Sequence, residues 1–449
     1  MAEPNSPSQS DLATTDFWRS VFFGPLRIIV PAFAALFLYR VVFQESGLSV
    51  LGLWSLILAV SSYLLMADVG FSQLLIREIP RGAVTSPFLG AYQNFVVAQF
   101  AYLLVSLVAA PLLAFVAFVW QQDAYESSAL AASVAVLVIS IGIQLIARLY
   151  GSVLAANQDY AFYQLVLSFS PLLMLLIGFF GATNRVPIEG LAVGHLCSSV
   201  ALLMILKLRC RRRYTGWDKV VGRRLFRMRP ILRLRMMVSR GLHFYNMAVG
   251  SMVRDPIYRG LITSIVGLEA LGIYAIGAKV SSAAREVIAS GYAALYPSVN
   301  TLLRAGNRAA VVRLMRKGMV VLYALGGASL LVVFLTAEFF LDIWLGSSTF
   351  EMIAVTRVLL VWCFITLLNV PFHYFLMAAG DEKVLSIAVW VHVLLILFVW
   401  PLSFFMPMSV VDLAIYWTIT SVFTQGIIFY TMHAKHGLLL PVFTNSWRP

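Results

Sequence analysis

Residues 47–62 read GLSVLGLWSLILAVSS, and residues 267–282 read GLEALGIYAIGAKVSS. They align without a gap at an offset of 220 residues (267 less 47). Gly47/Gly267, Leu48/Leu268, Leu51/Leu271, Gly52/Gly272, Val60/Val280, Ser61/Ser281 and Ser62/Ser282 are identical, and Leu53/Ile273, Trp54/Tyr274 and Leu56/Ile276 are near-equivalent. A weaker echo pairs Leu154-Ala155-Ala156-Asn157 with Met377-Ala378-Ala379-Gly380, at an offset of 223 (377 less 154). Offsets this close imply a duplicated chain. Each long stretch opens the second apolar segment of its half, and each echo closes the fourth.

The duplicated material is membrane-spanning. Of 449 residues, 61% are hydrophobic and only 12% charged, with a mean hydropathy of +0.87, whereas soluble domains run at roughly 45–50% apolar and about 25% charged. A water-soluble fold is excluded. About 20 apolar residues cross the hydrocarbon core as a helix, which predicts spans over 21–43, 50–76, 88–119, 129–149, 160–182 and 187–208. A second set covers 237–265, 270–297, 317–345, 353–379, 384–405 and 409–432. The expected fold class is an all-α integral membrane protein of about twelve transmembrane helices in two six-helix halves. The expected domains are a polar N-terminus 1–20, a first half 21–208, a basic linker 209–236, a second half 237–432 and a C-terminal tail 433–449. Residues 1–16 lack the basic start and small-residue cleavage site of a signal peptide, so the first helix is expected to be retained as an anchor.

Lys and Arg total 33 against 20 Asp and Glu, a net charge of +13. In a multi-span chain that excess belongs in cytoplasmic loops rather than on nucleic acid. Arg77/Arg81, Arg148, the run from Lys207 to Arg240, and Arg304/Arg308/Arg313/Arg316/Lys317 fall on one side. Glu45, Asp123/Glu126, Glu189 with Arg185, Glu269, Asp342/Glu351 and Asp412 fall on the other. The positive-inside rule makes the first side cytoplasmic, places both termini there and gives an even helix count. The expected location is the cell (inner) membrane. The linker, with Asp218 as its only acid, suits anionic headgroups, where each base gains about 1 kcal/mol.

Two like-oriented halves are expected to be related by an axis along the membrane normal, with substrate bound between them. Charges at membrane depth are costly and tend to line cavities or form pairs. Arg27 in the first span, Arg254, Asp255 and Arg259 in the seventh, and Lys279, Arg285 and Glu286 in the eighth are such charges, five bases to two acids. At about 100° per residue, Ser251, Arg254, Asp255, Tyr258 and Arg259 share one arc of roughly 140°. The same arithmetic gathers Lys279, Ser281, Ser282, Arg285, Glu286, Ser290 and Tyr292 on about half of the next helix. Faces of this kind at bilayer depth look into a filled interior, not lipid. Spacing predicts ion pairs of Asp255 with Arg259 and of Lys279 with Glu286. Arg254 and Arg285 remain, and Arg27 is placed to snorkel or to line the same central cationic cavity. A guanidinium is permanently charged and grips phosphate oxygens in pairs, so the expected ligand is an anion.

Other features point nowhere in particular. The six histidines (His195, His243, His373, His392, His433, His436) and three scattered cysteines lack metal or disulfide spacing, so neither metal nor cofactor is expected. Trp54, Tyr274, Trp344 and Trp400 are expected in the interfacial aromatic belt.

Gly47-Leu48 to Ser62, followed by Ala67-Asp68-Val69-Gly70-Phe71-Ser72-Gln73-Leu74-Leu75-Ile76-Arg77-Glu78-Ile79, resembles the opening of Wzx-like polysaccharide flippases. Arg254-Asp255-Pro256 through Leu271-Gly272-Ile273-Tyr274 resembles the start of their second half, and Leu376-Met377-Ala378-Ala379-Gly380 the end of their tenth helix. The resemblance implies the twelve-helix fold of the multidrug, oligosaccharidyl-lipid and polysaccharide exporter superfamily. It also implies a lateral opening between the first and eighth helices flanked by Arg27 and Arg285, and a cationic lumen that holds a pyrophosphate.

These readings converge on a non-enzymatic flippase. It moves a polyprenyl-pyrophosphate-linked oligosaccharide to the outer leaflet for exopolysaccharide, capsule or O-antigen synthesis. Arg27, Arg254, Arg259, Lys279 and Arg285 bind substrate, and Asp68, Asp255 and Glu286 serve coupling or charge pairing. Expected partners are the lipid-linked oligosaccharide, membrane lipids, and the glycosyltransferases, polymerase and export proteins of the same pathway. One alternative is a multidrug/cation antiporter, which needs an unpaired membrane carboxylate, Asp68 being the nearest to one. A membrane polymerase or glycosyltransferase is a third reading, and it lacks the large external loop it would need. The charge pattern is checked by reporter fusions: those near Thr215 and Gly306 should report cytoplasm and those near Ser46, Asp123 and Ser347 the outside. A reversed pattern refutes the orientation.

Overall fold

The computed structural model describes residues 9–68, 71, 72, 75, 89–119, 126–156, 159–213, 249–293, 302, 303, 308–379 and 381–436, with side chains of the first helix from residue 29 onward. Every extended element among them is a helix. The first, α1 (Gln9–Ser62), contains one non-helical residue, Gly47, at φ 81° and ψ 179°. This break divides α1 into the two helices expected there, and its counterpart Gly267 is likewise at positive φ (116°). A left-handed φ costs other residues strain that glycine avoids, so the repeated glycine marks a repeated chain reversal.

A 3-10 turn, Tyr63–Asp68, follows α1, and the described residues beyond it, Phe71, Ser72 and Leu75, are helical again. Then come α2 (Leu89–Val119), α3 (Ser127–Ala156), α4 (Tyr160–Thr183) and α5 (Pro187–Arg213). The second set is α6 (249–265), α7 (Leu268–Ala293), α8 (Arg308–Leu335), the short α9 (Ala337–Leu345), α10 (Phe350–Ala379), α11 (Glu382–Leu397), the short α12 (Val399–Ser403) and α13 (Val410–His436).

Among the described residues nine helices are long and apolar enough to cross a membrane, the first running through the Gly47 break. Dividing that one at Gly47 and adding the charge-bearing α6 and α7 gives the expected twelve. The protein is a multi-pass, all-α membrane protein. Its lipid-facing surface is explicit: Leu107, Phe115, Leu325, Leu335, Phe404 and Phe405 are each more than 59% exposed, which only a hydrocarbon solvent tolerates in such numbers.

Several boundaries differ from expectation for local reasons. Arg313, Arg316 and Lys317 lie within α8 and not in the loop before it. The ninth and eleventh spans are each interrupted, at Thr336 and Phe398. Arg209, counted with the linker, lies on α5, where it donates from Nε to Asp159 Oδ2 at 2.9 Å and its guanidinium lies over Phe162. The linker beyond Arg213 and the tail beyond His436 lie outside the described residues.

The chain divides into two compact units, one of Met1–Leu38 with Leu64–Tyr245 and one of Tyr39–Tyr63 with Asn246–Pro449. The first packs Phe95, Tyr102, Leu149, Leu154 and Leu206 in its core, and the second packs Met315, Phe372, Leu376, Leu385 and Met432. The residues 39–63 join the second unit because the repeated stretches lie against one another. A Cβ placed on Gly52 would stand 2.1 Å from the Leu268 carbonyl oxygen, and one on Gly272 would stand 2.3 Å from that of Leu48. The contact is reciprocal, residue for repeat-related residue, as at a local two-fold. It also turns Trp54 and Tyr274 inward, to 1% and 2% exposure, so neither belongs to the aromatic belt; of the four, Trp400 alone is exposed.

At Gly52 and Gly272 a single methyl collides with backbone. Gly52→Ala and Gly272→Ala should each destabilise the protein by at least the ~1–3 kcal/mol of core overpacking. Gly260→Ala, where nothing lies within 4 Å of the added atom, should be neutral or stabilising. Melting of the detergent-solubilised protein by size-exclusion chromatography measures all three.

Candidate anion-binding cavity

The second unit encloses a cavity of about 370 Å³, near the low end of the ~300–1,000 Å³ of small-ligand sites. α6 contributes Ser251 and Arg254, and α7 contributes Arg285 and Glu286. Trp362, Thr366, Asn369 and His373 come from α10, Val389 and His392 from α11, and Thr424 and Gln425 from α13. The α10 residues recur at steps of four, three and four, which places one polar stripe on one face of an otherwise apolar helix.

Both arginines are held by aromatic and polar neighbours, and neither forms an ion pair with a carboxylate among the described residues. Arg254 Nη1 donates to His392 Nδ1 at 3.2 Å, and its guanidinium lies 5.3 Å from the Trp417 ring. A guanidinium only donates, so Nδ1 accepts, and the imidazole proton sits on Nε2, 3.1 Å from Thr420 Oγ1. The Arg285 guanidinium lies 5.7 Å from the Trp362 ring, and Trp362 donates from Nε1 to Ser421 Oγ at 2.9 Å. Ser421 Oγ stands 3.4 Å from His392 Nε2, so one polar network runs beneath both cations.

This support leaves much unsatisfied. The Nε atoms of Arg254 and Arg285 and both side-chain polar atoms of Asn369 are buried without a hydrogen-bond partner among the described residues. Each unmade bond of this kind costs about 1–3 kcal/mol, and cation–π contact returns about 0.5–2 kcal/mol. The lining carries Arg254 and Arg285 against the exposed Glu286, a net positive charge.

The other expected site residues are placed differently. Arg259 donates from Nε to Asp255 Oδ2 at 2.7 Å and from Nη1 to Ser55 Oγ, and lies over Tyr274. The predicted Asp255–Arg259 pair is therefore made. Lys279 and Glu286 form no ion pair with each other among the described residues. Lys279 is half-buried on α7 and does not line this cavity. Arg27 stands on α1 with its side chain outside the described residues. Asp68 lies in the first unit, where its Oδ1 accepts from Tyr102 Oη and from the Ser72 amide and hydroxyl. That ties Asp68 into the local turn.

Sequence reasoning singled out both cavity arginines but not Asn369, Trp362 or Trp417, and His392 only as a histidine without metal spacing. The stripe of Trp362, Thr366, Asn369 and His373 was the available signal.

No protein-family model and no curated protein sequence matches the chain. Solved structures do. The lipid II flippase MurJ in an inward closed conformation superimposes with a TM-score of 0.71 at 12% identity, covering 96% of this chain and 94% of that one. An inward-facing multidrug resistance MATE family transporter of the MOP superfamily gives 0.69 at 14% identity, over 92% and 98%. The Vibrio cholerae MATE transporter VcmN in its bent form gives 0.55 at 13% identity, over 96% and 98%. The chain has the membrane-transporter fold shared by MurJ and the MATE proteins.

The Asp255–Arg259 pair is structural, so its members should be replaceable together but not singly. Asp255→Asn leaves a buried cation unmatched and should lower the melting temperature, and the double variant Asp255→Asn/Arg259→Gln should recover most of the loss. A double-mutant cycle on purified protein checks this. A double variant whose loss equals the sum of the two single losses would show that the pair carries no coupling.

Proposed function

We propose that the protein is a Wzx-like flippase. It carries a polyprenyl-pyrophosphate-linked oligosaccharide from the cytoplasmic to the outer leaflet of the cell (inner) membrane by alternating access, for exopolysaccharide, capsule or O-antigen synthesis, with both termini cytoplasmic. The observation that carries this reading is the pair of guanidiniums, Arg254 and Arg285, that line one cavity with no ion pair to a carboxylate among the described residues. The fold shared with a lipid II flippase supports it further.

A diphosphate entering a membrane interior forfeits several kcal/mol of solvation per charge. Fixed cations offset that cost, and arginine does so without a proton to lose. Arg254 and Arg285 take the pyrophosphate; Lys279 extends the positive charge along α7; Arg259, matched by Asp255, keeps the α6 face in place. The polyprenyl tail remains in lipid. Outward movement of an anion from a negative-inside cell gains about 2.3 kcal/mol per charge per 100 mV. A multidrug/cation antiporter would be expected to line its cavity with a surplus of acids, whereas this one sets two bases against a single acid, Glu286. Glycosyltransferases, the polymerase and export proteins of the pathway are its proposed partners.

Deletion of the protein should leave lipid-linked oligosaccharide accumulating on the cytoplasmic leaflet while its synthesis continues. In the deletion strain, Arg254→Ala and Arg285→Ala should each lose most polymer export at normal membrane levels by blot. Lys at either site should restore export only in part, since it lacks the planar fork; Asp should be worse than Ala, and Arg40→Ala should matter less. Full export by both Ala variants would refute the anionic substrate.

A further inference from the structure

The cavity holds more than a phosphate site needs. Asn369 is 3% exposed and lines the cavity, and neither its amide nitrogen nor its amide oxygen has a hydrogen-bond partner among the described residues. An asparagine buried merely to join helices would spend one of these groups on a neighbour. This one offers a donor and an acceptor side by side, on the same stripe as Thr366 and His373. Phosphate supplies chiefly acceptors and a polyprenyl chain supplies neither. A sugar ring supplies hydroxyls or an acetamido group that both donate and accept. Trp362 and Tyr374 line the same space, and aromatic side chains are the groups that pack on the C–H face of a pyranose.

We propose that this cavity is a sugar-phosphate site, in which Arg254 and Arg285 take the phosphate and Asn369 is the specificity-determining residue that reads the sugar next to it. The assignment rests on the reading of Arg254 and Arg285 given above and adds what lies beside the phosphate. At about 370 Å³ the cavity has room for a diphosphate with its first sugar beside Asn369, within the ~300–1,000 Å³ range of small-ligand sites. Selection therefore acts on the reducing-end residue, and the outer sugars are free to vary. The same chemistry could be presented by a lipid-linked sugar or by a free sugar phosphate.

Binding to the full-length protein in detergent, by calorimetry and by the fluorescence of tryptophans including Trp362 and Trp417 beside the guanidiniums, separates these. The probes are inorganic phosphate, inorganic pyrophosphate, a panel of hexose and N-acetylhexosamine 1-phosphates, and a short-chain prenyl diphosphate N-acetylglucosamine. At least one sugar 1-phosphate should bind about tenfold or more tighter than inorganic phosphate, a factor read directly from the two constants. Asn369→Leu, close in volume, should erase that preference and leave phosphate binding unchanged, whereas Arg285→Gln should weaken every probe. If the Leu variant does not fold, Asn369→Ser, with its smaller hydroxyl, should lose most of the preference. No sugar preference in the wild type, or a preference that survives at Asn369, overturns the proposal. If the sugar preference holds but the prenyl-linked probe gains nothing over the free sugar phosphate, the site stands and the lipid-linked reading falls.

Discussion

The approach of Gly52 to the backbone of Leu268, mirrored by Gly272 against Leu48, is the constraint on which the second unit depends. With no side chain between them, two helices come close enough for van der Waals contact along their backbones, the packing membranes favour when apolar burial no longer distinguishes protein from solvent. Its consequences can be followed outward. Tyr274, two residues beyond Gly272, packs its ring on Tyr258 at 5.6 Å, Tyr258 lies 4.5 Å from Trp417, and Trp417 underlies Arg254 at 5.3 Å. Tyr258 also donates to the Leu413 carbonyl, which fixes α13 against α6. A cation at membrane depth is thus held by aromatic contacts traceable to two glycines.

The bases of α6 and α7 have been sorted by environment. Arg259, one turn from Arg254, meets a carboxylate, a serine hydroxyl and a tyrosine ring, which leaves its charge little reach. Arg254 and Arg285 meet indole rings, and Arg254 a neutral imidazole besides, groups that orient a guanidinium without cancelling it. Sequence spacing distinguishes the first case, because an acid four residues away on one helix is a local matter. The second depends on α10, α11 and α13 converging from 77 (362 less 285) to 163 (417 less 254) residues away.

That difference explains what could be read in advance. Span number and the break between the first two helices followed from hydropathy and from a glycine that recurs with its surroundings, since lipid imposes a length and a satisfied backbone on every crossing. The Leu154–Asn157 and Met377–Gly380 echo fell at the ends of α3 and α10 for the same reason. Trp54 and Tyr274 were misplaced because an amphipathic ring near a helix end suits an interface equally well, and only the glycine crossing beside them decides for burial. The Lys279–Glu286 pair failed because seven residues bring two side chains to one face without bringing their tips together. Asn369 and His392 were hidden for a further reason: a single polar residue in an apolar helix has no meaning until its neighbours are known, though the α10 stripe came close to supplying one.

Under the proposed function the protein must let go of what it binds, and the charge of the cavity suits that limit. Binding strong enough to offset desolvation yet weak enough for release requires that fixed charge not exceed the ligand's by much. Two guanidiniums with the exposed Glu286 leave a net surplus of one positive charge, well short of full neutralisation of a diphosphate. Of the donors each arginine carries, Arg254 has already committed Nη1 to His392, so the fork offered to an anion is partial. In the proposed sugar-phosphate site Asn369 would contribute where charge does not: hydrogen bonds from its amide would discriminate by geometry and fall away when the sugar leaves. Selectivity from a neutral amide and attraction from restrained cations give a site that can recognise its ligand without becoming a trap for it.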